Sequence, residues 1–310
     1  MQISKFLDPK NDFAFKRIFG TERNKGILIH FLNDILGFEG PQKIQGIEFL
    51  KTNQDPDIAA KKQSLVDVLC RDEKGTQYIV EMQVVRRKGF EKRAQYYAAK
   101  AYSRQLAEGE QYHSLKEIIF LAITDFVMFP DKKAYKSDHV ILDKKTYEHN
   151  LKDFSFTFIE LPKFKKTLDQ LSTIVEKWVY FFKNAGKTEE KDLAHIAGND
   201  LVIQQAYEEL NRFSWSEGEL NTYEQEEKYE RDAQAILEAA EDKGIAKGIV
   251  IGEAKGIAIG EAKGKEEGMA IGEENAKLAM AKALLSKGIP LEVIIECTGL
   301  SVQTIQSLDI

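Results

Sequence analysis

Two strand-like segments, Ser64-Leu65-Val66-Asp67-Val68-Leu69-Cys70-Arg71 and Gln77-Tyr78-Ile79-Val80-Glu81-Met82-Gln83-Val84-Val85, flank the turn-forming Asp72-Glu73-Lys74-Gly75. If Asp72 pairs with Thr76, Asp67 faces Glu81 across the hairpin and Gln83 shares their side. Directly opposed strand residues hold their Cβ atoms about 5 Å apart. Two carboxylates that close repel each other unless something positive lies between them. A divalent cation relieves the repulsion: Mg²⁺, for which Mn²⁺ can substitute, takes oxygen ligands octahedrally and retains positions for water and phosphate oxygens. Such an ion activates water and steadies the charge that develops as a phosphodiester is hydrolysed. The alternative is that Asp67 and Glu81 are solvent-facing positions of an alternating hairpin, and a one-residue slip in register would separate them.

These side chains need rigid supports. From Asp12 to Leu36, Phe15, Ile18 and Phe19, then Ile27, Phe31 and Leu32, recur at helical spacing around Gly20 and Thr21, which predicts two helices. Ile44 to Leu50 is β-prone and extends the hairpin to a three-stranded meander. Phe90 to Ala107 is rich in Ala, Lys, Gln and Arg without Gly or Pro, the composition of a helix. Glu117 to Thr124 reads as a buried strand, and His139 to Leu142 and Phe154 to Leu161 as further strands. The order helix, three strands, helix, strand makes a mixed α/β sheet flanked by helices. From Leu168 the pattern turns helical, with Trp178, Phe181 and Phe182 and then Tyr207, Leu210 and Phe213 as its apolar residues.

Further along, Gly recurs at every fourth position from Gly244 to Gly272. As a helix this segment carries eight glycines, each costing about 1 kcal/mol relative to Ala. Close packing against a partner helix would offset that. The glycine stripe drifts by about 40° per step, which suits a right-handed wrap of two helices; a flexible charged spacer is the other reading. After it, Ala276 to Lys287 reads as a helix ended by Gly288. Pro290 starts a second, Gly299 ends it, and Ser301 caps a third. This tail resembles a helix-turn-helix, yet no Lys or Arg follows Lys287, which favours packing or dimerisation over reading DNA.

Composition narrows the class. With 310 residues and 43% hydrophobic content the chain can bury a large core. The segment Gln2 to Lys16 is charged and aromatic, and no apolar run approaches the ~18 residues of a membrane span, so a cytoplasmic protein is expected. Cys70 and Cys297 lack partners at metal-ligand spacing, and the five histidines lie in unrelated contexts, so zinc, disulfide and nucleophile schemes find no support. The net charge of −6 hides a split: residues 1–110 carry 19 Lys and Arg against 15 Asp and Glu, and the remainder 25 against 35. The basic half can hold a phosphate backbone. Arg93, Tyr97, Lys100 and Arg104 share one helical face, which either follows DNA or is solvated. Asp12 is either a third carboxylate for the cation or a helix N-cap.

The succession of helix, Asp67 on one strand, Glu81-Met82-Gln83 on the next and a helix from Lys92 resembles the PD-(D/E)xK nuclease superfamily. Within it, Asp12-x-x-Phe15-Lys16, Tyr96-Tyr97-Ala98-Ala99, Tyr102-Ser103 and the Gly-stepped segment resemble the recombination-promoting nuclease (Rpn) family of transposase-like proteins. The resemblance implies a restriction-endonuclease-like αβββαβ core with a long C-terminal helical extension. It divides the chain into a nuclease-like core at 1–165, a helical region packed on it at 166–240, the Gly-stepped helix or linker at 241–275 and the tri-helical tail at 276–310. It implies a Mg²⁺-dependent DNA endonuclease of recombination or transposition; the Gly-stepped segment and the tail make a homodimer or higher homo-oligomer through the C-terminal helices the expected assembly. Asp67 and Glu81 match the metal ligands of the motif, with Asp12 a further candidate, and Gln83 matches the position usually held by Lys. Lys16 and Lys62 join Arg93, Tyr97, Lys100 and Arg104 as expected DNA contacts.

Two departures stand out. Val66 replaces a Pro that gives no ligand. Gln83 replaces a charge, because an amide can orient water but cannot stabilise hydroxide electrostatically; Lys62 and Lys100 are the expected substitutes. A nuclease fold that binds DNA or dimerises without cutting is the alternative reading.

Overall fold

A computed structural model of the chain describes residues 4–51, 53–54, 64–106, 111–198 and 200–308. Among the described residues no helix is long and apolar enough to cross a membrane. The residues divide into two compact units, 1–235 and 236–310.

The first unit opens with α1 (Asp12–Phe19) and α2 (Lys25–Leu36), separated at Gly20 and Thr21 as the spacing predicts. The N-cap of α1 is Asn11, whose side chain accepts from the N–H groups of Phe13 and Ala14 at 3.1 and 3.2 Å. Asp12 is therefore not the cap; its carboxylate stands in the first turn, available for other contacts. Strand β1 (Ile47–Phe49) follows, then the short β2 (Asn53–Gln54) and β3 (Ser64–Leu65), and then β4 (Val68–Asp72) and β5 (Gln77–Gln83). Helix α3 (Phe90–Ser103) leads to β6 (Ile118–Thr124), β7 (Lys136–Ile141) and β8 (Leu151–Glu160). Helix α3 ends four residues short of the predicted Ala107, which lies outside the described residues.

Six strands form one sheet in the order β1-β4-β5-β6-β8-β7. Its β1-β4-β5 edge is antiparallel, whereas β5, β6 and β8 run parallel, as a crossover through α3 requires. The expected restriction-endonuclease-like α/β core is thus present. The predicted strand Ser64–Arg71 is split, because β3 pairs with β2 in a separate two-stranded sheet and β4 pairs with β1 and β5. Val66 and Asp67 make the change of partner, which leaves Asp67 in a bend just before β4.

Asp72 fixes the hairpin register. Its Oδ1 accepts from the N–H groups of Lys74 and Thr76, both at 2.9 Å, and its Oδ2 accepts from the Tyr78 hydroxyl at 2.9 Å. Gly75 has φ of 91°, a left-handed conformation that side-chain-bearing residues avoid. The Asp72 N–H then bonds to the Thr76 carbonyl at 3.0 Å, and the ladder runs Arg71↔Gln77 to Val68↔Val80. That is the register the composition of the turn predicts, and one step further it brings Asp67 level with Glu81.

Alternation along the central strands divides the core in two. Val68, Cys70, Tyr78, Val80 and Met82 belong to a large cluster with Phe15, Phe19, Phe31, Trp178 and Phe182 of α1, α2 and α4 (Ile174–Asn184). Leu69, Ile79, Phe120 and Ala122 pack on the other face against Phe90, Ala94, Tyr97, Ala98 and Ala101 of α3. Helices α5 (Glu190–Ala197) and α6 (Leu201–Glu209) add Ile196, Ile203, Ala206 and Tyr207 to the first cluster, and Leu210 joins them. Phe213, expected among the apolar contacts of this region, is instead 77% exposed.

Helix α7 (Glu217–Ser286) is continuous over 70 residues and includes the whole run from Gly244 to Gly272. The helix predicted from Ala276 is its last part. In the second unit α8 (Leu291–Thr298) ends at Gly299 with φ of 67°, and α9 (Val302–Gln306) begins where the Ser301 side chain accepts from the Thr304 N–H. Ala281, Ile294, Leu300 and Ile305 form the small core of this tail.

Candidate active site

The side chains singled out in the hairpin meet on the α3 face of the sheet, at the C-terminal end of β5. Glu81 is 2% exposed. Its odd-numbered position on β5 directs it to the same side as Ile79, under α3. Asp67 reaches the same place from the bend, and its Oδ2 accepts from the Met82 N–H at 2.9 Å. This bond takes the place of the ladder pairing that stops at Val68, so the bend both frees the Asp67 carboxylate and fixes it.

Helix α1 contributes a third carboxylate and a cation. Its apolar side, Ala14, Phe15, Ile18 and Phe19, is buried in the first core. Asp12 and Lys16, four residues apart, lie together on another side of the helix. Lys16 Nζ is 2.7 Å from Asp12 Oδ2 and 3.7 Å from Asp67 Oδ1. Lys16, expected as a DNA contact, thus stands beside the carboxylates, and its four-residue spacing from Asp12 is the local sign that the two act together.

On the other side, Gln83 is held between two charged groups. Its Nε2 donates to Glu81 Oε2 at 3.0 Å, and Arg93 of α3 donates to its Oε1. The amide orientation follows from chemistry, since a guanidinium only donates and an ionised carboxylate only accepts. The Arg93 guanidinium also lies over the rings of Phe90 and Tyr97, at 4.8 and 5.9 Å. Gln83 is thereby held between Glu81 and Arg93.

Burial raises Asp67 to about 6, with Asp12 adding to the effect and the Met82 N–H and Lys16 opposing it. Glu81 is held well above the usual carboxylate range, by burial first and by Asp67 second. Burial works against the Lys16 ammonium, but Asp12, Asp67 and Glu81 together keep it above its ordinary value. Beside α1, Glu230 of α7 is pushed up to about 7 by burial and by Asp8 and Asp12, an acidic neighbour the sequence did not signal.

The donor set fits a hard divalent cation. Glu81 Oε1 is buried without a hydrogen-bond partner. An orphaned carboxylate oxygen is costly unless a positive group satisfies it. Asp67 and Glu81 would hold the ion, with Asp12 beside them. Among the described residues no three His, Cys, Asp or Glu side chains converge as a complete cage. The protein's share is thus the carboxylate pair, consistent with ions that keep waters and substrate oxygens in their shell.

The expected DNA contacts separate. Lys16, Arg93 and Tyr97 come to the carboxylates, but Tyr97 is 9% exposed and packs in the second core, so it offers no open face for stacking. Lys100 lies with its Nζ 5.9 Å from the Tyr96 ring, and Arg104 is exposed at the end of α3. Lys62 lies outside the described residues. A cleft of about 530 Å³ at the start of α3 is lined by Arg87, Lys88, Lys92, Arg93, Tyr96 and Tyr97, among others. Tyr96, 46% exposed, is the aromatic that faces outward. The run Arg86-Arg87-Lys88 directly after β5 was the overlooked signal.

The comparison with known families agrees with this geometry. The model of a family described as PD-(D/E)XK nuclease family transposase matches residues 9–240. No curated protein and no solved structure matches the chain.

Proposed function

Since the chain belongs to the PD-(D/E)XK nuclease family transposases, we propose that it is a DNA endonuclease that hydrolyses phosphodiester bonds with Mg²⁺, or Mn²⁺ in its place, and serves recombination or transposition. The observation that carries this reading is the buried Glu81 with its unsatisfied Oε1, set beside Asp67 and Asp12. Nucleases of this superfamily typically use divalent metals, and such an ion supplies Lewis-acid stabilisation of phosphoryl charge and activation of water.

The chain's own residues do the rest. Asp67 is positioned by the Met82 N–H and Glu81 by Gln83, so both carboxylates keep one orientation. Arg93 braces Gln83 in turn. The basic cleft with Arg87, Lys88, Lys92 and Tyr96 receives the phosphate backbone beside the carboxylates, where contacts of this kind position rather than specify. Supercoiled plasmid incubated with the purified chain is expected to be nicked in Mg²⁺ or Mn²⁺ and left intact in EDTA. Binding without cutting at any concentration of either metal would instead establish the non-catalytic reading, a DNA-binding or dimerising module.

We also propose that α7 pairs with the same helix of a second copy. Ile245, Ile249, Ile251, Ile257, Ile259 and Ile271 are 55–63% exposed. A Cβ built on any glycine from Gly244 to Gly272 meets nothing within 4 Å, so within one chain these glycines accommodate no neighbour. Eight glycines cost a helix roughly 8 kcal/mol relative to Ala, and a closely packed partner offsets this. Sedimentation of the full chain is expected to give a dimer or higher oligomer, and Ile249→Lys with Ile257→Lys a monomer; a monomeric parent would refute the pairing.

A further inference from the structure

The position usually occupied by the motif lysine is Gln83, and Gln83 is committed to Glu81 and Arg93. Among the described residues, Arg93 and Lys16 bring cationic side chains to the carboxylates and to Gln83. Arg93 donates to Gln83, its guanidinium lies over the Phe90 and Tyr97 rings, and its Nε is buried without a partner. Lys16 instead reaches Asp67. It comes from α1 rather than the sheet, its side chain is 36% exposed, and its Nζ stands 3.7 Å from Asp67 Oδ1. An ammonium has three N–H donors; the bond to Asp12 at 2.7 Å uses one, and Asp67 lies beyond direct hydrogen-bond distance. Donor capacity and solvent access therefore coincide at a charged nitrogen beside the Asp67 carboxylate.

We infer that Lys16 has taken over the role of the missing sheet lysine and touches the scissile phosphate. The inference rests on the nuclease reading above. Lys16 acts as a fixed positive charge and donor to the phosphate oxygen on which negative charge grows, and it keeps its proton throughout. Its attachment to α1 explains why β5 tolerates an amide at 83: the charge is delivered to the same carboxylates from a different element. Asp12 then has a second task, to hold the Lys16 ammonium at the site entrance through their four-residue spacing. In this reading the charge expected of Lys62 or Lys100 is supplied by Lys16.

The test compares Lys16→Gln, Lys16→Arg and the double variant Lys16→Gln with Gln83→Lys, all in the full-length protein. Removing one preorganised charge from a transition state lowers turnover on the order of 10²–10³-fold, and that loss is expected for Lys16→Gln in single-turnover cleavage with Mn²⁺. Calorimetric titration with Mn²⁺ alone is expected to show affinity equal to or tighter than that of the parent, since a competing cation is gone. Thermal unfolding is expected to stay within a few degrees. Lys16→Arg should keep part of the activity, and returning the charge to position 83 should recover at least tenfold over Lys16→Gln. Full activity of Lys16→Gln overturns the inference. So does loss of cleavage in step with loss of Mn²⁺ binding, which would make Lys16 a structural tie. A parent protein that binds Mn²⁺ and never cuts overturns the nuclease reading itself, and this inference with it.

Discussion

Asp67→Ala and Glu81→Ala are each expected to lower divalent-metal-dependent DNA cleavage by on the order of 10³-fold, because a cation's stabilisation of phosphoryl charge amounts to several kcal/mol and each 1.36 kcal/mol is tenfold in rate. Glu81 has the larger expected effect, since its Oε1 is the buried oxygen without a partner. The two variants should remain folded. Neither carboxylate anchors the hydrophobic core, and the register of the hairpin depends on Asp72 and Gly75 rather than on Asp67. Single-turnover cleavage together with circular dichroism checks both halves of the expectation. Unchanged cleavage by Asp67→Ala would remove it from the site.

The second large effect concerns pH and stability without metal. Burial and neighbouring carboxylates raise Asp67 to about 6 and Glu81 well above the usual range, whereas in the unfolded chain both revert to ordinary values. The folded state therefore holds these protons more tightly than the unfolded one. Their stabilising effect is fully present below the ordinary carboxylate range and is lost as pH rises through about 6 for Asp67. In EDTA, Asp67 should add on the order of 2 kcal/mol of stability as pH falls from about 7.5 to about 4.5, since a proton held tenfold more tightly contributes about 1.36 kcal/mol. Asp67→Asn should flatten that dependence and be the more stable protein at neutral pH. Mn²⁺ should raise the melting temperature at about pH 7.5 and lose its effect below about pH 6, as protons displace it. Identical pH profiles for parent and Asp67→Asn, measured by thermal unfolding in EDTA, would contradict this.

Much of the site was legible in the sequence because a hairpin converts spacing into geometry. Asp72-Glu73-Lys74-Gly75 is turn chemistry, the turn sets the register, and the register brings Asp67 level with Glu81. The helices were legible from their periodic Phe and Ile residues, and the sheet from its β-branched runs. What periodicity could not show is how elements distant in sequence come together. Lys16 is expected as a DNA contact, but nothing local says that its ammonium stands 3.7 Å from Asp67. Arg93 was placed on a basic stripe, whereas tertiary packing turns it inward to Gln83 and buries Tyr97. The split of the Ser64–Arg71 strand arose from a pairing with Asn53–Gln54 that alternation alone does not reveal. Asp12 illustrates a local ambiguity decided by a neighbour, because Asn11 caps the helix and the Asp12 carboxylate pairs with Lys16.

Family membership and paired carboxylates converge on one claim, that a divalent ion sits between Asp67 and Glu81. Anomalous diffraction from crystals of the full-length protein soaked in Mn²⁺ tests it most directly. A peak is expected in contact with Glu81 Oε1 and an Asp67 oxygen, with Lys16 alongside and Gln83 outside the ion's shell. A saturating soak of protein that cuts DNA, with no peak at these two carboxylates, would contradict it.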